Sequence, residues 1–266
     1  MAYDWPCGRN PPGGARTSRR GWTLAVPDPR GAVALLRAAA ANGNGSAKLF
    51  IGRAPDPTDI EVRVEPSIDE LLADANLMDD NERAAEHLDR VLAKLLDDLN
   101  MKERELVKLP VLFRKFSPII VPLKNSLGGT GNKGSVFRQN LVLNQLQAGS
   151  DPKTSLGAPK ADAELPESYY AYSPNLANGV LLSSPPAGNG DAQPDWVFAY
   201  TKPDGPLIDG KDIFAQAAVK ALGRVGVRPY EIDAWDWAHL GQGEVHCTSN
   251  VWRDVSTDAA WWQNRK

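Results

Sequence analysis

The chain has 266 residues, 42% hydrophobic and 24% charged, which is the make-up of an ordinary soluble globular protein and argues against disorder over most of its length. Thirty Lys and Arg against 33 Asp and Glu leave a net charge of -3, so there is no basic excess to bind a nucleic-acid backbone. Apolar runs such as Ala32 to Ala41, broken by Arg37, fall short of the roughly 18 residues that a membrane span needs. The two cysteines, Cys7 and Cys247, have no paired spacing, which excludes a thiolate zinc site and a CxxC redox centre. With no apolar leader segment in Met1 to Arg20, the expected compartment is reducing and cytoplasmic.

Residues 1–21 are a patchwork of Pro, Gly and Arg without helical or strand period, and are expected to be a disordered leader. The fold begins after it. Trp22 to Val26 predicts a strand, Asp28-Pro29 a helix start, and Gly31 to Asn42 an Ala/Leu-rich helix ended by Gly43. Lys48 to Ile51 predicts a second strand, completing a strand–helix–strand unit and hence an α/β class. Ser67 and Glu70 have capping-box spacing ahead of Leu71 and Leu72. From Asp79 or Asn81 to Asn100, Leu88, Val91, Leu92, Leu95, Leu96 and Leu99 recur every three or four residues, the stripe of an amphipathic helix. His87 beside that stripe, among Glu86 and Asp89, reads as a surface or boundary residue, since no partner His or Cys is near it.

Leu106 to Phe113 and Ile119 to Leu123 predict strands whose prolines suit sheet edges. Residues 124–168 read as a loop-rich insertion. Within it, Gly128 to Ser135 misses the phosphate-loop pattern, because Gly134 separates Lys133 from Ser135. Val180 to Leu182 and Trp196 to Tyr200 predict strands, Ile213 to Leu222 a helix bounded by Gly223 and Gly226, and Glu231 to Trp237 a further strand.

The turn at Gly241 and Gly243 leads into Glu244-Val245-His246-Cys247-Thr248-Ser249-Asn250-Val251. In an extended segment His246 and Cys247 point to opposite faces, so His246 is a poor base for the thiol. His239 and His87 are the other histidines, and a Cys247–His239 hydrolase is a distant alternative. By itself a lone cysteine in a strand is more often a small buried core residue than a nucleophile.

The window Gly243 to Val251, followed by Trp261-Trp262, resembles the carboxy-terminal signature of the protein-arginine deiminases. Ser67 to Asp74, Pro203 to Asp212 and the segment from Trp22 to Asn42 are similar to the same family in the same order. The resemblance runs from about Trp22 to Trp262, so residues 22–266 are read as the carboxy-terminal part of such a catalytic domain. It implies a partial pentein-type α/β propeller of ββαβ modules, with protein arginine side chains as substrate and calcium as cofactor. It also implies that Cys247 is the nucleophile, forming a thiouronium intermediate on the way to citrulline and ammonia. The family's His-x-Asp segment should precede the strand at Trp22, yet Met1 to Arg20 holds no histidine and only Asp4. Neither the substrate-binding carboxylates nor calcium ligands can be placed from the sequence, and an inactive fragment that binds a protein partner is the alternative expectation.

Overall fold

The computed structural model describes residues 2–3, 23–53, 65–115, 168–183 and 196–250. The expectations for 119–123, for nearly all of 124–168, for most of the leader and for Trp261-Trp262 lie outside the described residues. Ala2–Tyr3 (β1) pairs antiparallel with Thr23–Asp28 (β2), which pairs in parallel with Leu106–Pro110 (β3), Leu24 facing Leu106. The strand–helix–strand unit therefore exists, but its second strand is β3. Lys48 to Ile51 is not a sheet strand: Lys48 makes an isolated bridge to Ser67, and the chain then turns through Phe50 (φ 58°) and Gly52 (φ 73°). Leu49 and Phe50 bury their side chains there, and their N–H groups donate to Pro66 O and Asp204 O instead of to a ladder.

Helix α1 (Pro29–Ala39) starts where expected, with the Asp28 carboxylate accepting from Gly31 N at 2.9 Å. Its buried face, Ala32, Val33, Leu36 and Ala39, follows the 3.6-residue period. A wider turn over Ala40–Asn44 ends it at Gly43, whose φ of 83° suits glycine. Helix α2 (Ile68–Ala73) carries the predicted capping box, and Asp74 caps α3 (Ala75–Asp98) through Leu77 N at 3.0 Å. Helix α3 thus begins about a turn before the earlier of its expected starts, Asp79. Leu92, Leu95, Leu96 and Leu99 pack on Leu24, Val26, Met101 and Leu106, while Val91 is exposed. His87 is exposed, as the surface reading expects. Asn81 fixes Phe113–Lys115 (β4) to α3, donating to Phe113 O and accepting from Phe113 N, and β4 pairs with Tyr169–Ala171 (β5).

The second sheet is built from Val180–Ser183 (β6), Trp196–Thr201 (β7) and Arg228–Ile232 (β10), in the order β10-β7-β6. Between β7 and β10 lie the small hairpin of Leu207–Ile208 (β8) and Lys211–Asp212 (β9) and helix α4 (Ile213–Gly223). Phe198, Tyr200, Ala218 and Leu222 meet Val107 and Leu109 of β3 in one core, which joins the two sheets' modules. The strand predicted over Glu231 to Trp237 is displaced. Gly226 (φ 71°) starts β10 at Arg228, and from Asp233 the chain coils so that Ala238 N donates to Ala234 O and Leu240 N to Trp235 O. Ala234, Trp235 and Ala238 are buried at helical spacing, which alternation along a strand could not achieve.

The chain is thus α/β. Among the described residues its four sheets are all open, two of three strands and two of two. No described helix is long and apolar enough to cross a membrane.

Candidate active site

Cys247 lies on α5, a single helical turn over Val245–Thr248, and not in the extended segment expected from sequence. It is exposed, so the buried-core reading of this cysteine does not hold. The turn is anchored from below by Val245, buried with Ala199, Ala234 and Ala238. Glu244 precedes it and is 3% exposed. Its Oε1 accepts from Asn175 N and lies against His239 Nδ1, both at 2.9 Å. One carboxylate oxygen therefore ties together the loop before β6, the turn after β10 and the start of α5. The Thr248 hydroxyl donates to Glu244 O and Val245 O, and Ser249 Oγ donates to His246 O, closing the turn's far end.

The contact that the structure gives the sulfur comes from Asn178, whose Nδ2 donates to Cys247 Sγ at 3.1 Å. The same residue's carbonyl accepts from His246 N at 3.2 Å. Asn178 is held in turn by its own loop: its N–H donates to Asn175 O at 3.0 Å, and Ala177 N donates to Asn175 Oδ1 at 3.1 Å. At Gly179 a Cβ would lie 2.5 Å from Ala199 O and 2.7 Å from the Phe198 ring, so only glycine lets the chain pass this close to β7. Sequence reasoning did not single out Asn178. Its signal, Asn-Gly ahead of a strand, is that of a turn, and nothing local connects it to a cysteine in a distant segment.

Of the three histidines, His87 is exposed on α3 and His246 is exposed next to the nucleophile candidate. His239 is 8% exposed, with its ring 4.7 Å from that of Trp235 and its Nδ1 turned to Glu244. The alternative pairing of Cys247 with His239 is not what the structure builds: His239 is a buried strut whose Nδ1 serves Glu244.

A second polar cluster lies beside this strut. Arg53 sets Nε 2.9 Å and Nη2 3.0 Å from the Asp204 carboxylate, and Nη1 2.9 Å and Nη2 3.0 Å from that of Asp233. Its guanidinium carbon lies 5.9 Å from the centre of the Trp235 ring. Here a guanidinium is gripped by paired carboxylates, the geometry of strong charge-assisted bonds, but the guanidinium is the chain's own. Asp204 and Asp233 are therefore engaged internally. Among the described residues no group of three or more His, Cys, Asp or Glu comes together as a metal site.

The family model described as protein-arginine deiminase matches residues 15–263. The chain belongs to the protein-arginine deiminase family. Among curated relatives, mouse protein-arginine deiminase type-4 is 24% identical over 244 residues, covering 92% of this chain and 27% of that protein. Human protein-arginine deiminase type-1 is 23% identical over 246 residues, with the same coverage of 92% and 27%. The chain thus spans about a quarter of the length of these deiminases, and the range matched by the family model contains Arg53, Asn178, Glu244 and Cys247.

Proposed function

We propose that this chain carries the nucleophile-bearing part of a protein-arginine deiminase site, with Cys247 attacking the guanidinium carbon of a peptidyl-arginine. The single observation that carries the reading is the exposed sulfur of Cys247 with an amide donor, Asn178 Nδ2, set on it at 3.1 Å within a family match. An exposed thiol with a fixed donor is suited to attack, because the thiolate is the nucleophile and a donor favours negative charge on sulfur. Sulfur forms a bond to the guanidinium carbon, a proton reaches the departing nitrogen, and ammonia leaves. Water then attacks the resulting thiouronium carbon, and the carbon–sulfur bond breaks to give citrulline and free Cys247. The proton transfers call for a general acid/base, and the cationic substrate calls for paired carboxylates. Asp204 and Asp233 hold Arg53 and are not those carboxylates.

In this reading the open sheets are modules of a pentein-type propeller completed by the remaining part of the family's fold. Calcium belongs to the reading only through the family: among the described residues no cluster fits it, and no step is routed through it.

A second reading, a noncatalytic fragment that at most binds a partner, is favoured by the internal commitments of His239, Asp204 and Asp233. The test is citrulline release from a peptidyl-arginine substrate, in calcium and in chelator, by the purified chain and its Cys247→Ala variant. Turnover that disappears in the variant supports the deiminase reading. Turnover that survives it removes Cys247 as nucleophile, and a folded parent chain without turnover favours the noncatalytic reading.

A further inference from the structure

We infer that Asn178 is a positioning residue for the Cys247 sulfur, fixing its direction. The inference rests on the deiminase reading for its catalytic meaning, but the geometry stands by itself. Asn178 makes two different contacts with two successive residues of α5: its carbonyl takes the His246 N–H, and its side chain reaches Sγ of Cys247. The backbone contact sets the distance between the loop and α5. The side-chain contact then uses that distance to place a donor on the sulfur.

The donor's direction is set by the chemistry of the amide. Nδ2 can only donate, so at 3.1 Å the sulfur must act as acceptor. A thiolate accepts far better than a thiol, since hydrogen bonds to an ionised partner are roughly twice as strong as neutral ones. The contact is a directed bond from a donor that the loop holds in place. It also confines Sγ to one direction, which an exposed side chain on a single helical turn would otherwise not keep.

The placement is over-determined. The Asn175 side chain closes a local turn on Ala177, Asn175 O holds Asn178 N, and Gly179 has no space for a Cβ beneath Phe198 and Ala199. Asn175 N is in turn held by Glu244, the residue that starts α5. The loop bearing the donor and the turn bearing the sulfur thus share one buried carboxylate, so that donor and acceptor keep their relation to each other. A loop that served only to connect β5 to β6 would need none of these contacts.

The test uses the full chain in a Cys7→Ser background, so that Cys247 alone reports. The rate of alkylation by iodoacetamide is followed at neutral pH for the parent, Asn178→Ala and Asn178→Asp, with folding checked by circular dichroism and urea unfolding. Removing the donor should slow labelling about tenfold. Asn178→Asp, nearly isosteric, replaces the donor by an acceptor and should slow labelling at least as much. A purely structural role for Asn178 would leave the labelling rate of a folded variant in place. Folded Ala and Asp variants that keep the parental labelling rate would overturn the inference; if the Ala variant does not fold, the Asp variant decides alone.

Where the parent turns over substrate, Asn178→Ala should lower kcat about tenfold with KM changed less than about twofold. Equal loss through KM alone would count against positioning. Labelling that slows in the variants of a chain without any turnover would uphold the role of Asn178 and reject the deiminase reading, so the two fail separately.

Discussion

Glu244→Ala separates the geometric role of the buried carboxylate from the presence of its charge. Glu244 is 3% exposed, and its Oε1 serves Asn175 N and His239 Nδ1 at 2.9 Å each. Bonds to a charged acceptor contribute about 1.5–3 kcal/mol each, and removing the acceptor leaves both partners in a site closed to water. Taking the lower value for both gives a loss of about 3 kcal/mol. With a urea slope of about 2–3 kcal/mol per M, the unfolding midpoint should fall by about 1–1.5 M. Glu244→Gln keeps an acceptor at Oε1. Its new amide group meets no partner, because Oε2 has none among the described residues, but loss of the charge relieves desolvation. Its cost should therefore stay within about 1 kcal/mol. The measurement is urea unfolding followed by tryptophan fluorescence, with iodoacetamide labelling of Cys247 in the same samples. If Gln costs as much as Ala, charge and not the shared acceptor holds the site together. If Ala costs less than about 1 kcal/mol, the strut is not needed at all.

The Arg53 cluster gives a contrast within one network. Arg53→Leu should cost about 3 kcal/mol, because it strands Asp204, whose side chain is 6% exposed, with Lys202 Nζ at 3.1 Å as the one remaining cation on it among the described residues. Asp233→Asn should cost less than about 1 kcal/mol, since that side chain is 63% exposed. Equal costs in urea unfolding would show that burial does not decide which partner matters. Glu231 tests the electrostatics of the second sheet. Burial first, then the Asp212 charge, raise its carboxyl above the usual 4.5 against the opposing pull of Lys202. The folded protein then binds this proton more tightly than the unfolded chain, so this residue's contribution is most favourable below about pH 4.5 and is lost as pH rises through the folded value. Glu231→Gln should accordingly raise the melting temperature at neutral pH, and the gain should shrink to nothing on acidification. A gain that grows in acid would refute the sign.

Local rules were legible wherever a side chain answers to its own neighbours in sequence. Asp28 before Pro29, the Ser67–Glu70 box and Gly43 all do at their helix ends what their spacing predicts, because a cap is satisfied within one turn of chain. Reading failed where burial was set by a distant partner. Leu49 and Phe50 look like a strand, but their surroundings are Pro66, Asp204 and the Trp235 core, so the chain turns and leaves the parallel pairing to β3. Asp233 to Ala238 coils because Ala234 and Ala238 pack with Ala199 and Val245 while Trp235 between them packs against Phe50 in the neighbouring core.

The sequence by itself determined the α/β class, the capped starts of α1 and α2, the family and the one cysteine worth testing. Only the tertiary structure decided what that cysteine meets: an exposed turn in place of a strand, and Asn178 in place of a histidine. It alone showed His239 serving Glu244 and two aspartates serving Arg53. The physical reason is reach. Caps and apolar periods are fixed by covalent spacing over a few residues, whereas a hydrogen bond from residue 178 to residue 247 exists only once two sheets, a loop and a buried carboxylate have brought its partners together.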